Sequence, residues 1–299
     1  MHTTLAYADL PAVAPLLVRA TANHVGRRPR AEAVLPTTVV RVARLRQDLG
    51  RLAAYNRACG FGLRDAVPPT WLHVLTFPLQ AALLAGQDFP FAPAGLVHTA
   101  NTMTLHRPVA VGEHLDVLVR AEALRPHAKG ALFDLVGEVR VGSELAWTGR
   151  SSYLARGASA PAGADAARAT GVTDDPADPL RNDAAGEQPR MAQRWRLPAD
   201  LGRQYAKVSG DVNPIHLSAA TAKLFGFRRA IVHGMWTHAR CLAALSGRLP
   251  ETYTVDVTFT RPILLPGRVS FAAAESDAGV RFAVLGREEK PHLVGAVRR

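Results

Sequence analysis

Apolar residues recur along the chain in two rhythms, and the order of those rhythms occurs twice. In residues 252–261, 268–275, 280–286 and 292–297, apolar and polar positions alternate or β-branched residues accumulate, so each run predicts a strand. Ahead of them, residues 234–247 (GMWTHARCLAALSG) are apolar around most of a helical circumference, the mark of a buried helix. The first half shows the same order. Residues 71–86 predict the helix, kinked at Pro78, and residues 97–106, 114–123, 131–141 and 144–154 predict strands. An amphipathic helical start precedes each apolar helix. One buried helix followed by consecutive antiparallel strands makes an α+β unit whose sheet wraps the helix.

Two short matches support a duplication. LHRPVAVGEHLDV (105–117) resembles FTRPILLPGRVSF (259–271), which sets Arg107-Pro108 and Arg261-Pro262 154 residues apart. Upstream, Tyr55-Asn-Arg-Ala-Cys-Gly60 lines up with Tyr205-Ala-Lys-Val-Ser-Gly210 at an offset of 150. Between the halves, residues 155–190 are Ala, Gly, Asp and Pro with almost no large apolar side chain. Such a stretch buries too little surface to offset its ordering entropy, and it predicts a linker joining residues 1–154 to residues 191–299.

Composition narrows the class. A length of 299 residues suits two domains of roughly 150 residues each. No apolar run reaches the ~18 residues that span a bilayer. The apolar patch at residues 10–18 lacks a basic start, follows Asp9 and is broken by Pro11 and Pro15, so it is not read as a signal peptide. Cys59 and Cys241 are too few for a disulfide framework and have no metal-ligand spacing. The expectation is a soluble cytoplasmic protein with no membrane partner. The net charge is +11, but only four of its 36 basic residues are lysines, and the arginines are scattered. The longest basic cluster is Arg27–Arg30, and no basic stripe with a nucleic-acid module is present, so nucleic acid is not expected as a partner. A positive field would equally suit a substrate carrying phosphates, such as a coenzyme A or carrier-protein thioester.

The chemistry concentrates in Tyr205-Ala-Lys-Val-Ser-Gly-Asp-Val-Asn-Pro-Ile-His216. Asn213 is a good N-cap and Pro214 suits the first helical position, which leaves Asp211 before the cap and His216 in the first turn. Both side chains can then point at one spot. An Asp-x4-His pair alone would be read as a turn and a satisfied polar residue. Its neighbour changes that reading. Ile231-Val-His-Gly-Met-Trp-Thr237 sets Gly234 where the buried helix begins, and backbone N–H groups there are open to a ligand. A developing enolate oxygen needs such donors. His233 borders this place, where it shapes the site or packs beside the helix. His98, His106 and His114 lie eight residues apart and are expected on strand faces or loops, not on a metal. Arg228 and Arg229 are solvated charge or reach coenzyme A phosphates. Trp71 and Trp236 are core aromatics or acyl-tunnel walls, and Cys241 is inert packing.

Y-x-x-V-S-G-D-x-N-P-I-H, followed by I-V-H-G-M, resembles the signature of the R-specific enoyl-CoA hydratases of the MaoC-like family, which have the hot-dog fold. The likeness covers about Trp195 to Phe271 closely, and the first half resembles the degenerate repeat of double-hot-dog members. The resemblance implies a tandem (double) hot-dog forming a pseudo-dimer within one chain, and it leaves a further homodimer open. It implies that Asp211 and His216 activate the water added to a trans-2-enoyl thioester of coenzyme A or acyl carrier protein, giving the 3R-hydroxyacyl thioester. Gly234 would bind the thioester oxygen, Asn213 would orient the loop, and Thr237 stands near a polar active-site position. Such an enzyme belongs to fatty acid metabolism and requires no metal or redox cofactor, since a base, an acid and enolate stabilisation suffice. At the offset of 150, Phe61, Leu63, Arg64 and Ala66 stand opposite Asp211, Asn213, Pro214 and His216, which points to one working site per chain. Two other readings remain: a hot-dog thioesterase, against which the intact Asp211/His216 pair argues, and a non-catalytic acyl-thioester-binding subunit. The bulky Trp236 departs from the smaller residue expected beside the oxyanion glycine.

Overall fold

In the computed structural model, residues 3–23, 33–160 and 191–299 are described. The first half contains β1 (Thr4–Tyr7), α1 (Val13–Ala22), β2 (Val39–Leu45), α2 (Leu49–Cys59), α3 (Pro69–Leu84), β3 (Leu96–Leu105), β4 (Leu115–His127), β5 (Gly130–Val141) and β6 (Glu144–Arg156). The second contains β7 (Met191–Leu197), α4 (Leu201–Ser209), α5 (Pro214–Leu217), α6 (Ala219–Lys223), α7 (Gly234–Ala244), β8 (Tyr253–Phe259), β9 (Gly267–Ser276), β10 (Gly279–Leu285) and β11 (Pro291–Arg298). All eight strands expected after the two buried helices form, with ends shifted by a few residues. Strands β1, β2 and β7 were not anticipated, because each is short and separated from the strands it joins by helices.

The strands form one sheet in the order β1-β2-β4-β5-β6-β3-β8-β11-β10-β9-β7. Among the described residues, only β1 and β2 pair in parallel. Apart from β1, the order reads the same from either end once each strand is replaced by its counterpart: β2 with β7, β4 with β9, β5 with β10, β6 with β11, and β3 with β8. Each half is therefore an antiparallel sheet with its own central helix, the double hot-dog architecture. The halves meet at β3 and β8, paired from Ala100↔Thr258 to Leu105↔Tyr253. Thr102 donates its hydroxyl to Asp256 Oδ1 (2.7 Å), and the hydroxyls of Thr104 and Thr254 are 2.9 Å apart.

Every residue of helix α3 except Phe77 is buried, including the polar Thr70, His73, Thr76 and Gln80. It packs on β2, β4, β5 and β6 and touches α7, which packs on β10. The helix is continuous through Pro78, whose missing N–H removes the bond to Val74 without ending it. The amphipathic α2 and α4 lie against each other across the junction. Strand β6 runs to Arg156, two residues into the expected linker, and residues 161–190 of that linker lie outside the described residues. Among the described residues, no helix is long and apolar enough to cross a membrane.

Candidate active site

Matching hydrogen bonds show where the two copies agree and where they part. In the first copy the Val67 amide donates to Val109 O and the Val111 amide to Asp65 O, both at 2.8 Å. In the second, the Val232 amide donates to Ile263 O (2.9 Å) and the Leu265 amide to Ala230 O (2.8 Å). The isolated bridges Ala66↔Ala110 and Ile231↔Leu264 match as well. Ala66 thus corresponds to Ile231, Pro69 to Gly234, Trp71 to Trp236 and His73 to His238. Upstream, Gly60 and Gly210 both end their helices in the left-handed region, at φ 83 and 80. Six steps lead from Gly60 to Ala66 and twenty-one from Gly210 to Ile231, so the second copy holds fifteen extra residues. The pairing of His216 with Ala66 is therefore corrected, whereas Asp211, next to Gly210, still stands opposite Phe61. His216 has no counterpart; it rides on an added segment that includes α5 and α6. A single offset failed because an insertion shifts the register in its middle.

That segment is held down by its backbone. Asp211 Oδ1 accepts from the Asn213 amide (3.1 Å), and Asn213, the N-cap of α5, accepts from the Ile215 amide (3.4 Å). The Ile231 amide donates to Ile215 O (3.1 Å), and Arg203 donates to Leu217 O (2.9 Å). His216 is buried, and its Nδ1 lies 2.8 Å from the Ile231 carbonyl. A carbonyl only accepts, so Nδ1 carries the hydrogen and Nε2 presents a bare lone pair. Burial pushes the imidazole below its ordinary pKa, against the pull of the Asp211 charge and the bond to Ile231. His216 is thus a neutral base. Asp211 keeps 28% of its side chain exposed, and only its Oδ1 is taken by the turn.

His233 completes the group. It is the N-cap residue of α7, and its Nε2 donates to Asp211 O at 3.0 Å. Its ring stacks on that of His216, with centroids 3.7 Å apart and planes 26° from parallel. Asp211, His216 and His233 lie close enough to suggest a metal site, with a ligand atom of each within 4.8 Å of the others. The stacking argues against it. Imidazole lone pairs lie in the ring planes, and two near-parallel rings face to face cannot aim them at one ion.

Gly234 opens α7, so its amide belongs to the first turn, which has no intrahelical acceptor. A Cβ there would stand 2.9 Å from the Phe259 ring, so the space beside this amide exists because residue 234 is glycine. Its counterpart in the first copy is Pro69, which has no N–H to offer. Thr237 is buried one turn further on, with its hydroxyl 3.4 Å from His233 O. Trp236 reaches into the first copy, where its Nε1 donates to Ala58 O at 2.8 Å. This resolves its bulk: the side chain is a bolt between the halves.

Comparison with known proteins gives the family. The model of the MaoC like domain matches residues 181–294. The 3-hydroxyacyl-thioester dehydratase X of Mycobacterium tuberculosis is 38% identical over 283 residues, spanning 94% of this chain and 96% of its own length. The chain belongs to the MaoC-like dehydratase family. A crystal structure of HtdX from M. tuberculosis aligns with TM-score 0.72 and 36% identity over 87% of this chain and 99% of that one. The (R)-specific enoyl-CoA hydratase of Aeromonas caviae is 32% identical over 106 residues, 36% of this chain and 75% of that enzyme.

The structure brings Asp211, Asn213, His216, His233, Gly234 and Thr237 of this MaoC-like chain to one place. Arg228 and Arg229 remain exposed, and Arg229 donates to Pro266 O (3.3 Å). His106 and His114 lie in turns, as expected. His98 does not stay apart. Its ring stacks on Tyr153 (4.7 Å) and meets Phe259 (5.0 Å), the ring that covers Gly234. Beside it is His73 (6.4 Å), and the Asp211 carboxylate acts on both His73 and Tyr153. Burial pushes His73 down to about 4 and His98 and His238 down to about 3. The first half thus contributes a polar wall facing the second. One signal for it was present: Trp71-x-His73 repeats as Trp236-x-His238.

Proposed function

We propose that this chain is a hydro-lyase that reversibly hydrates trans-2-enoyl thioesters to (3R)-3-hydroxyacyl thioesters, with Asp211 and His216 as its acid–base pair. The observation that carries the reading is the bare Nε2 of a neutral, buried His216 beside the Asp211 carboxylate, with the first-turn amide of α7 close by. One water can donate one hydrogen to each of the two acceptors. As its oxygen bonds to C3, the C2=C3 π electrons move toward the thioester oxygen, where the Gly234 amide and the helix dipole stabilise the enolate. The proton taken from the water returns to C2, so the elements of water are added and nothing else is consumed. Dehydration is the reverse. Asn213 and His233 hold the Asp211 loop, and Thr237 braces the turn that carries Gly234. The substrate is a coenzyme A or carrier-protein thioester, and the scheme requires no metal or redox group.

In this reading residues 191–299 catalyse, while residues 1–154 cover the acyl chain and support the site. The protein is then a cytoplasmic enzyme of fatty acid metabolism. The test is hydration of crotonyl-CoA, followed as loss of enoyl absorbance, for the wild type, Asp211→Asn and His216→Ala. Loss of ~10²-fold or more in both variants supports the pair, being typical for removal of an acid–base group. Full activity in either variant overturns it. Release of free thiol from an acyl-CoA would indicate a thioesterase, and tight binding without turnover a binding subunit.

A further inference from the structure

We infer that Arg51, on α2 of the first copy, is a positioning residue that clamps the loop carrying Asp211 in the second copy; this rests on the reading of Asp211 and His216 as the working pair. Helix α4 ends at Ser209, one residue before Gly210 and two before Asp211. Its last carbonyls have no intrahelical donors and need partners from elsewhere. Arg51 supplies them. Its Nε donates to Val208 O (2.7 Å) and its Nη2 to Ser209 O (3.1 Å). A guanidinium at this helix end also meets the negative pole of the helix dipole.

The clamp is itself held in place. Arg51 lies over the Trp71 ring, with its Cζ 5.4 Å from the centroid, and Trp71 is fixed by its Nε1 bond to Gln47 Oε1 (3.2 Å). From the Ser209 carbonyl the path to the carboxylate is short, because the Asp211 amide donates to Ser209 Oγ (3.1 Å) and Ser209 Oγ donates to Tyr205 O (2.9 Å). The last turn of α4, the clamp and the Asp211 turn therefore move as one unit.

The two matching helix ends are held by different elements of the opposite half. At the offset that equates Gly60 with Gly210, Arg51 falls on Leu201, so α4 has no arginine at the matching position. The first copy's helix end is held differently, by Trp236 Nε1 on Ala58 O and by the Arg240 guanidinium packed on Gly60. The half without the extra segment thus supplies, from α2, a guanidinium that pins the helix end just before Asp211.

The test uses full-length wild type, Arg51→Met and Arg51→Lys, with crotonyl-CoA kinetics and amide hydrogen exchange across residues 208–213. Arg51→Met should lower kcat ~10- to 100-fold with KM changed less than ~3-fold, since small misplacement of a reacting group is costly. Exchange at residues 208–213 should quicken while that of α3 and β5 stays slow, and Arg51→Lys should recover part of kcat. A kcat within twofold of wild type, or unchanged exchange in that segment, overturns the inference. If Arg51→Met does not fold, Arg51→Lys decides by the same two readouts. A wild type inert toward crotonyl-CoA would count against the hydratase reading, and exchange alone would then decide for or against the clamp.

Discussion

His233 stacks face to face on His216, and the two imidazoles are held by carbonyls in opposite senses: His216 through Nδ1 to Ile231, His233 through Nε2 to Asp211. Burial pushes both rings below the usual histidine range, and each would repel a proton on the other. The sign for activity follows. Protonating His216 destroys the lone pair that accepts from water, and its folded pKa lies below the ordinary value. Crotonyl-CoA hydration should therefore keep a flat kcat/KM through neutral pH and fall only below about 6.5. An acid limb with its midpoint at or above that value, lost in His216→Gln, would show that burial does not govern this ring.

Gly234→Ala probes the helix start. The added methyl would meet the Phe259 ring at 2.9 Å, and that ring is backed by His98. The ring or the start of α7 must shift, which misplaces the amide assigned to the thioester oxygen. A loss of about 10²-fold in kcat is expected, the scale seen when one oxyanion donor is removed. Adding Phe259→Leu should restore part of it by making room. Wild-type activity in Gly234→Ala would remove this amide from the mechanism.

The buried histidines His73, His98 and His238 make a prediction about stability. They are neutral in the fold down to about 4, 3 and 3, whereas the unfolded chain takes up protons on all three near 6.5. Their contribution is complete above that unfolded value and is lost as pH falls toward the folded ones. Each histidine should add ~1.4 kcal/mol of lost stability per pH unit between about 6 and 4. Urea unfolding at pH 7, 6 and 5 measures the slope, and His238→Met should reduce it by about one proton. An unchanged slope would mean that these rings are charged in the fold.

Asp256 ties the two halves. Its buried carboxylate accepts from Thr102 of the opposite half and from Arg298. Asp256→Ala should lower unfolding stability by about 1–3 kcal/mol, the usual cost of stranding buried hydrogen-bonding partners. The site lies elsewhere, so kcat should hold within about threefold at temperatures where the variant stays folded. Urea denaturation gives the first quantity and crotonyl-CoA turnover the second; unchanged stability would show that the backbone ladder carries the seam alone.

Local rules determined much of this. Alternation or β-branched enrichment marked eight strands of β3 to β11, because both are local properties of a chain that packs at least one face of a sheet. The mainly apolar circumference of α3 and α7 marked the central helices, since a helix enclosed on most sides needs no charged stripe. Asn213-Pro214 announced a helix start, and Asp211 and His216 were legible because spacing across a capped turn is a local property. The tertiary structure decided what depends on long-range contacts. It gathered His73, His98 and Tyr153 together, joined the halves through β3 and β8, and turned Trp236 and Arg51 into bolts between them. It also showed that His216 sits on an extra segment of the second copy, visible only when hydrogen bonds far apart in sequence are matched. Periodicity reports which face of an element is buried; what that face is buried against is set by packing between residues more than a hundred positions apart.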